Sequence, residues 1–301
     1  MKLKRLVYPF IVLLLSLQVS VQAQQKNKLL DRQFWRGEPT LKDVKQAVKE
    51  GNSPTEMTSS MFDATGYAIL ENAPLKVIKY LMSQGNDVNK LTHDARTYIF
   101  WAAYKGNLEL MEHLKKVGAR MDVIDQGGNN LLMFAAVTGQ TDKRIYEFCK
   151  QNGFDLANGT DRNGRNALLA FASRLKDTEM LEYFKSEGID INSTDNNGNG
   201  LFHYATLSGD IDLLKRLVGE YNISYTPNKK TNENAYHFAT RIRLGNDSPS
   251  PMALYEYLEG LGLDPTAVTT SGNNVLHNLV YRTNDLSIIN YFLDKGVYPN
   301  Q

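Results

Sequence analysis

One cysteine, Cys149, stands among 301 residues. A disulfide framework is therefore excluded. Also missing are H-E-x-x-H, G-x-S-x-G, a phosphate-binding Gly-rich loop and any paired-cysteine zinc spacing. No catalytic constellation and no cofactor site can be assembled from what remains. Neither sign of charge dominates: 34 basic residues face 33 acidic ones, a formal net charge of +1. That balance argues against nucleic acid as a partner of the chain as a whole. Long apolar runs are scarce too. The longest, Leu6 to Leu17, falls short of the about 20 residues that span a bilayer. Mean hydropathy is −0.40, and 42% apolar residues suffice for a sizeable core.

The first 23 residues stand apart. Lys2, Lys4 and Arg5 precede the apolar core Ile11 to Leu17, and Val21-Gln22-Ala23 resembles a cleavage site. This is the pattern of a secretory signal peptide; the competing reading, a membrane anchor, founders on the short run. No cysteine follows the cleavage point to take a lipid. From Gln24 onward the chain holds 31 basic and 33 acidic residues, a net of −2. The expected setting is export, to the periplasm or beyond.

What the remaining chain has in abundance is a period. Gly51, Gly85, Gly118, Gly153, Gly188, Gly262 and Gly296 each follow a helical pattern, with Tyr221 standing at the same place in one unit. Successive spacings are 34, 33, 35, 35, 33, 41 and 34 residues. Eight, seven and four positions upstream of a closer lie apolar residues, as in Leu110, Met111 and Leu114 before Gly118. The register recurs through Val77-Ile78-Leu81, Ile145-Tyr146-Cys149, Met180-Leu181-Phe184, Leu213-Leu214-Leu217, Leu254-Tyr255-Leu258 and Ile288-Ile289-Phe292. Such a stripe on one helix face cannot be buried by a single helix pair. It requires copies on either side.

Each second-helix pattern is preceded by a shorter one: Thr97-Tyr98-Ile99-Phe100-Trp101-Ala102-Ala103, Asn130-Leu131-Leu132-Met133-Phe134-Ala135-Ala136, Leu201-Phe202-His203-Tyr204-Ala205, Ala235-Tyr236-His237-Phe238-Ala239 and Val275-Leu276-His277. Before them stand Asp125-Gln126-Gly127-Gly128, Asp161-Arg162-Asn163-Gly164 and Asp195-Asn196-Asn197-Gly198. Here the chain resembles the ankyrin repeat family, whose unit reads D-x-x-G-x-T-P-L-H-x-A-A-x-x-G before its second helix. The proline is absent throughout, and Asn130, Asn166, Asn234 and Asn274 replace the threonine, as helix caps can. The resemblance implies an all-α ankyrin repeat solenoid with short β-hairpin-like loops. About eight units occupy residues 34–301, after a polar lead-in at 24–33. Phe34 to Gly51 reads as a degenerate first unit, Thr40 and Asp43 as its helix cap. Arg243 to Pro251 reads as an inserted surface loop. Ile288, Ile289 and Phe292 look like an ordinary interior face, so something covers them or the natural polypeptide continues.

Four features invite a chemical reading and receive a structural one. His203, His237 and His277 recur one unit apart, about 10 Å in a stacked layer. Zinc bonds near 2 Å cannot bridge them; the resemblance implies that they bond neighbouring hairpin backbone. Asp195 to Gly200 fits the start of a calcium loop, yet Thr206 stands where the bidentate glutamate belongs. Cys149 shares the register of Leu114 and Leu217, which predicts a buried, inert thiol. Trp101, Phe134, Tyr204 and Phe238 form a column at an inward position and read as core.

The resemblance places recognition at the hairpin tips and at the two positions after A-A, on a concave face. The tips supply Arg96, Arg162, Asn163, Arg165 and Lys230, with Asn129 and Asn199 at the matching second-arm position. The helix ends supply Tyr104, Lys105, Arg174, Leu207, Arg241, Ile242, Tyr281 and Arg282. Against the eight cations of this set stand the acids Asp94 and Glu233. The reading is a non-enzymatic protein-interaction scaffold that meets an acidic partner surface. A small-ligand or anion-binding protein, or an assembly or protective factor for a periplasmic enzyme, would use the same face. Mass spectrometry of the exported protein is expected to find Gln24 at its N-terminus; soluble cytosolic material retaining Met1 would remove the export reading.

Overall fold

A computed structural model describes residues 26–242 and 251–299. The signal-peptide segment lies outside the described residues, as do residues 243–250 of the insertion. Sixteen α-helices are seen among the described residues, and they fall into eight antiparallel pairs. The pairs are α1 Arg32–Arg36 with α2 Leu41–Lys49, α3 Ala64–Leu70 with α4 Leu75–Ser83, and α5 Tyr98–Tyr104 with α6 Leu108–Lys116. Then come α7 Leu131–Val137 with α8 Lys143–Gln151, α9 Ala167–Phe171 with α10 Glu179–Ser186, and α11 Leu201–Thr206 with α12 Ile211–Gly219. The last are α13 Ala235–Ala239 with α14 Met252–Gly260 and α15 Val275–Leu279 with α16 Leu286–Asp294. First helices pack on first helices, α3 on α5 on α7 on α9, while α2 meets α4 and α6 meets α8.

The stripe read from the sequence is the core. Leu110, Met111 and Leu114 are fully buried, and of the seven copies only Ile289 is not buried. Burial of one such side chain contributes roughly 1.5–3 kcal/mol. The first helices are apolar all round: in α5 every residue except Tyr104 is buried, because neighbours enclose it on both sides.

Caps set the helix ends. The Thr40 hydroxyl accepts from the Asp43 N–H while the Asp43 carboxylate accepts from the Thr40 N–H, a reciprocal capping box. The asparagines in the threonine column do the same office: Asn130 accepts from Met133 N–H at 2.9 Å and Asn166 from Leu169 N–H at 2.9 Å. Thr97 does not; its hydroxyl is buried without a partner. At the C-terminal side Gly118 takes φ +99°, and Ala119 N–H reaches back to Leu114 C=O at 2.9 Å.

Two sequence expectations need correction. The closer of the α11–α12 unit is not Tyr221. Helix α12 has the same nine residues as α6, but one extra residue follows it, and Asn222 adopts the left-handed conformation at φ 53°. Asparagine tolerates that region better than tyrosine. The segment read as a polar lead-in is also not merely polar. Lys28–Leu30 forms a 3-10 turn whose Leu29 is fully buried, and the Trp35 indole N–H donates to its carbonyl at 2.9 Å.

The connecting hairpins are tight but are not strands. Only an isolated bridge, Met57 to Asp63, appears among the described residues. Each hairpin closes with one backbone bond, as from Asp125 N–H to Asn129 C=O at 2.9 Å. Neighbouring tips are tied in turn: Gln126 N–H donates to Asp94 C=O and Asn196 N–H to Asn163 C=O, both at 2.9 Å. Leu114→Ala is expected to cost about 2–5 kcal/mol. Urea denaturation should show it as a lower midpoint, and a loss below 1 kcal/mol would mean the stripe is not the main support.

Candidate interaction face

The hairpin begins with an aspartate in three successive units, and that carboxylate organises the tip. Asp125 accepts the Asn129 N–H at 2.8 Å, and Asp161 accepts the N–H groups of Asn163 and Arg165 at 2.8 and 3.0 Å. Asp195 accepts from Asn197 and Asn199 N–H and from the Tyr204 hydroxyl at 2.6 Å. Its oxygens are thus spent on the loop itself, which supports the structural reading of Asp195 to Gly200 over a calcium loop.

These acids also claim cations that the sequence placed on a free surface. The Arg96 guanidinium lies 2.9 Å from Asp125 and 3.0 Å from Asp94, and 4.4 Å from the Phe134 ring centre. Arg165 pairs with Asp161 at 2.7 Å and covers Tyr204. Arg241 pairs with Glu233 and covers Phe238. Side-chain exposure is 15%, 20% and 36% for the three. The physical reason is register. The residue immediately before the helix N-cap sits beside the tip aspartate of its own hairpin (Arg165 with Asp161) or of the next one (Arg96 with Asp125), so an arginine there finds the acid before it finds a partner. Asn129 and Asn199 occupy that column and are buried as well. Counting Asp94 and Glu233 alone misses Asp125 and Asp161, which sequence reading assigned to backbone turns.

The remaining cations differ. Arg162, Arg174, Lys230 and Arg282 are exposed and Lys105 is half-buried. None of the five has a carboxylate within 4 Å among the described residues. Arg162 lies across Gly128, where an added Cβ would meet its Cδ at 2.6 Å; at φ +82° only glycine is comfortable there. Lys230 donates to Asn196 C=O at 3.0 Å, and Asn163 is exposed at its own tip. Tyr104 is 45% exposed and Tyr281 87% exposed, while Leu207 and Ile242 are half-buried.

Arg174 sits beside a cavity of about 270 Å³ floored by Phe171, Leu175 and Met180, with Lys176 on its wall. The local cause is a missing glycine. Leu175 stands where Gly139 closes the preceding first helix, so the chain leaves α9 through a 3-10 turn, Ala172–Arg174.

Buried titratable groups are held neutral or fully paired. Burial pushes the Cys149 thiol up to about 12, so no thiolate forms near neutrality. Asp63, which sequence reading did not single out, is fully buried. It bonds Tyr98 OH at 2.5 Å, Lys90 Nζ at 2.7 Å and Gly66 N–H at 2.8 Å. A carboxylate so enclosed ties α3 to the next hairpin; removing one member of such a pair costs about 3–5 kcal/mol. The histidines meet their expectation in part. Nδ1 of His203, His237 and His277 accepts the N-cap N–H of its own helix, from Gly200, Asn234 and Asn274 at 3.3, 3.2 and 3.1 Å. The expected contact with neighbouring hairpin backbone is made by the His237 ring, at Ala267 and Asn273 of the next hairpin. Among the described residues no cluster of His, Cys, Asp or Glu could hold a metal ion, and no helix is long and apolar enough to cross a membrane.

A stack of helix pairs joined by carboxylate-organised hairpins, with its variable side chains at tips and first-helix ends, defines a repeat solenoid built for contact. A family model described as ankyrin repeats in three copies matches residues 66–150 and 143–231, more than half the chain. The chain belongs to the ankyrin repeat family. It is 31% identical over 150 residues to the palmitoyltransferase AKR1 of Lachancea kluyveri, covering 49% of this chain and 20% of that one. It is 24% identical over 219 residues to the putative ankyrin repeat protein L371 of Acanthamoeba polyphaga mimivirus, covering 71% and 27%. An L-asparaginase of Dirofilaria immitis is 26% identical over 147 residues, covering 49% and 24%. The chain spans about a fifth to a quarter of the length of these relatives, and the activities in their names are theirs. Ankyrin repeats are protein-interaction modules and are typically not catalytic.

Burial lowers the His203 imidazole from its ordinary 6.5 to about 4. Below 6.5 the unfolded chain binds a proton that the folded chain refuses, so stability falls as pH drops from 6.5 to about 4. The loss is about 3 kcal/mol. Urea midpoints at about pH 7 and pH 4 should therefore lie closer together for His203→Leu than for the wild type.

Proposed function

We propose that this chain acts after export, in the periplasm or outside the cell, as a non-enzymatic scaffold that captures a protein bearing an acidic surface. One observation carries the reading. Acids at the hairpins are consumed by Arg96, Arg165 and Arg241, and among the described residues Lys105, Arg162, Arg174, Lys230 and Arg282 are left without acidic partners on the same face. A surface whose negative charge is internally spent and whose positive charge is not attracts acidic partners and repels basic ones. Tyr104 and Tyr281 supply exposed aromatic area of the kind that dominates binding energy. The cavity beside Arg174, whose wall also carries Asp177 and Glu179, would take an apolar side chain.

The test is capture from an envelope extract with identification of the bound protein. Simultaneous Arg162→Glu, Arg174→Glu and Arg282→Glu is expected to weaken capture at least about tenfold. Because these side chains are exposed, the melting temperature should move by no more than a few degrees. Capture unchanged by the triple reversal would sink the acidic-partner reading.

A further inference from the structure

The hairpin after α12 lacks an aspartate turn that other units share, and a cavity lies beside it. In three units the chain after the closer makes the same aspartate turn. Asn192 N–H donates to the Asp190 carboxylate at 2.9 Å, and Ser193 N–H to the Asp190 carbonyl at 3.1 Å. The same pair of bonds recurs at Asp87 and at Asp264. In the unit after α12 the equivalent residues are Ser224, Tyr225, Thr226 and Pro227. Proline has no N–H, so the second bond cannot form. Ser224 offers only a hydroxyl, 3.4 Å from Thr226 N–H. The extra residue between α12 and the left-handed Asn222 adds to the difference.

A cavity of about 210 Å³ lies beneath this open turn. Its apolar walls include Ile191, Leu201, Ile223 and Pro227, and two basic side chains reach it, His203 and Lys229. His203 is 3% exposed. Its Nδ1 accepts the Gly200 N–H, so the neutral ring carries its proton on Nε2. That Nε2 is buried with no partner. A buried donor left unmet costs about 1–3 kcal/mol, and native structures rarely leave one so. Lys229 is exposed at the same cavity and has no acidic partner among the described residues. The space is below the about 300–1,000 Å³ of drug-sized sites but exceeds several waters at about 30 Å³ each.

We propose that this cavity binds a small aliphatic monocarboxylate. The carboxylate accepts the His203 Nε2–H and faces the Lys229 ammonium, and a short alkyl tail packs among Ile191, Leu201, Ile223 and Pro227. An ammonium and a neutral N–H together select an anion with acceptor oxygens, and the apolar walls select a tail over a bare ion.

The probe is pentanoate, titrated into the full chain by calorimetry and by ¹H–¹⁵N spectra of histidine-labelled protein. Saturable binding with a Kd of about 1 mM or tighter is expected, with a shift of the His203 Nε2–H resonance. Lys229→Met is exposed and should fold normally; it is expected to weaken binding about tenfold. His203→Phe should weaken it similarly. Acetate and pentanamide should bind at least about tenfold more weakly, for want of a tail and of a charge. No saturation by about 50 mM pentanoate would mean that the cavity holds ordered water only and would overturn the proposal. So would binding indifferent to Lys229→Met, or acetate matching pentanoate. The triple reversal of Arg162, Arg174 and Arg282 should leave pentanoate binding unchanged, so the two readings fail separately.

Discussion

A two-helix unit of this size has more apolar surface than it can cover. Everything else in the molecule follows from that constraint. Leu110, Met111 and Leu114 lose their water only because other copies of the same stripe lie beside them. First helices enclosed on both sides become apolar all round, as α5 is, and second helices keep one polar face. The end units feel the same constraint. At the start, Leu29 and Trp35 are buried together by a 3-10 turn and a short helix. At the last described unit, Val280 and Leu286 stay 64% and 67% exposed.

Stacking also dictates the hairpins, and the hairpins dictate the electrostatics. Units at fixed spacing need loops of fixed shape, and a buried aspartate that gathers loop N–H groups fixes it. Each such carboxylate must be compensated. Asp161 is compensated by Arg165 from the opposite arm of its own hairpin and Asp125 by Arg96 from the hairpin before it, and both arginines lie over the aromatic column of Phe134 and Tyr204. Among the described residues the cations left without a carboxylate include Arg162 at a tip and Arg174 and Arg282 beyond first-helix ends. Function in such a fold is a remainder after structure has taken its share.

Local departures show how little separates a structural position from a binding one. Leu175 in place of a glycine turns a helix end into a 3-10 turn beside a cavity. Pro227 in place of an N–H donor opens a turn above His203. Neither changes the stack, because both fall where the chain crosses between helices and the core stripe is undisturbed.

The sequence by itself determined the fold. A 33–35-residue period with a triple apolar stripe admits no other burial scheme, and it located the helices, the glycine closers, the asparagine caps and the buried Cys149. It also gave the exposed residues Arg162, Asn163, Arg174, Tyr104 and Tyr281 their places. Only the tertiary structure decided which cations are free, since whether Arg96 meets Asp125 depends on two hairpin arms lying side by side, 29 residues apart along the chain. It alone moved the closer from Tyr221 to Asn222, because one extra residue after the end of α12 leaves the apolar register of the helix intact and so leaves no mark in the pattern. The Asp63 network joining Lys90 and Tyr98, and the empty side of His203, were likewise invisible in one dimension: both arise from the distance between repeats, and a sequence records only the order within them.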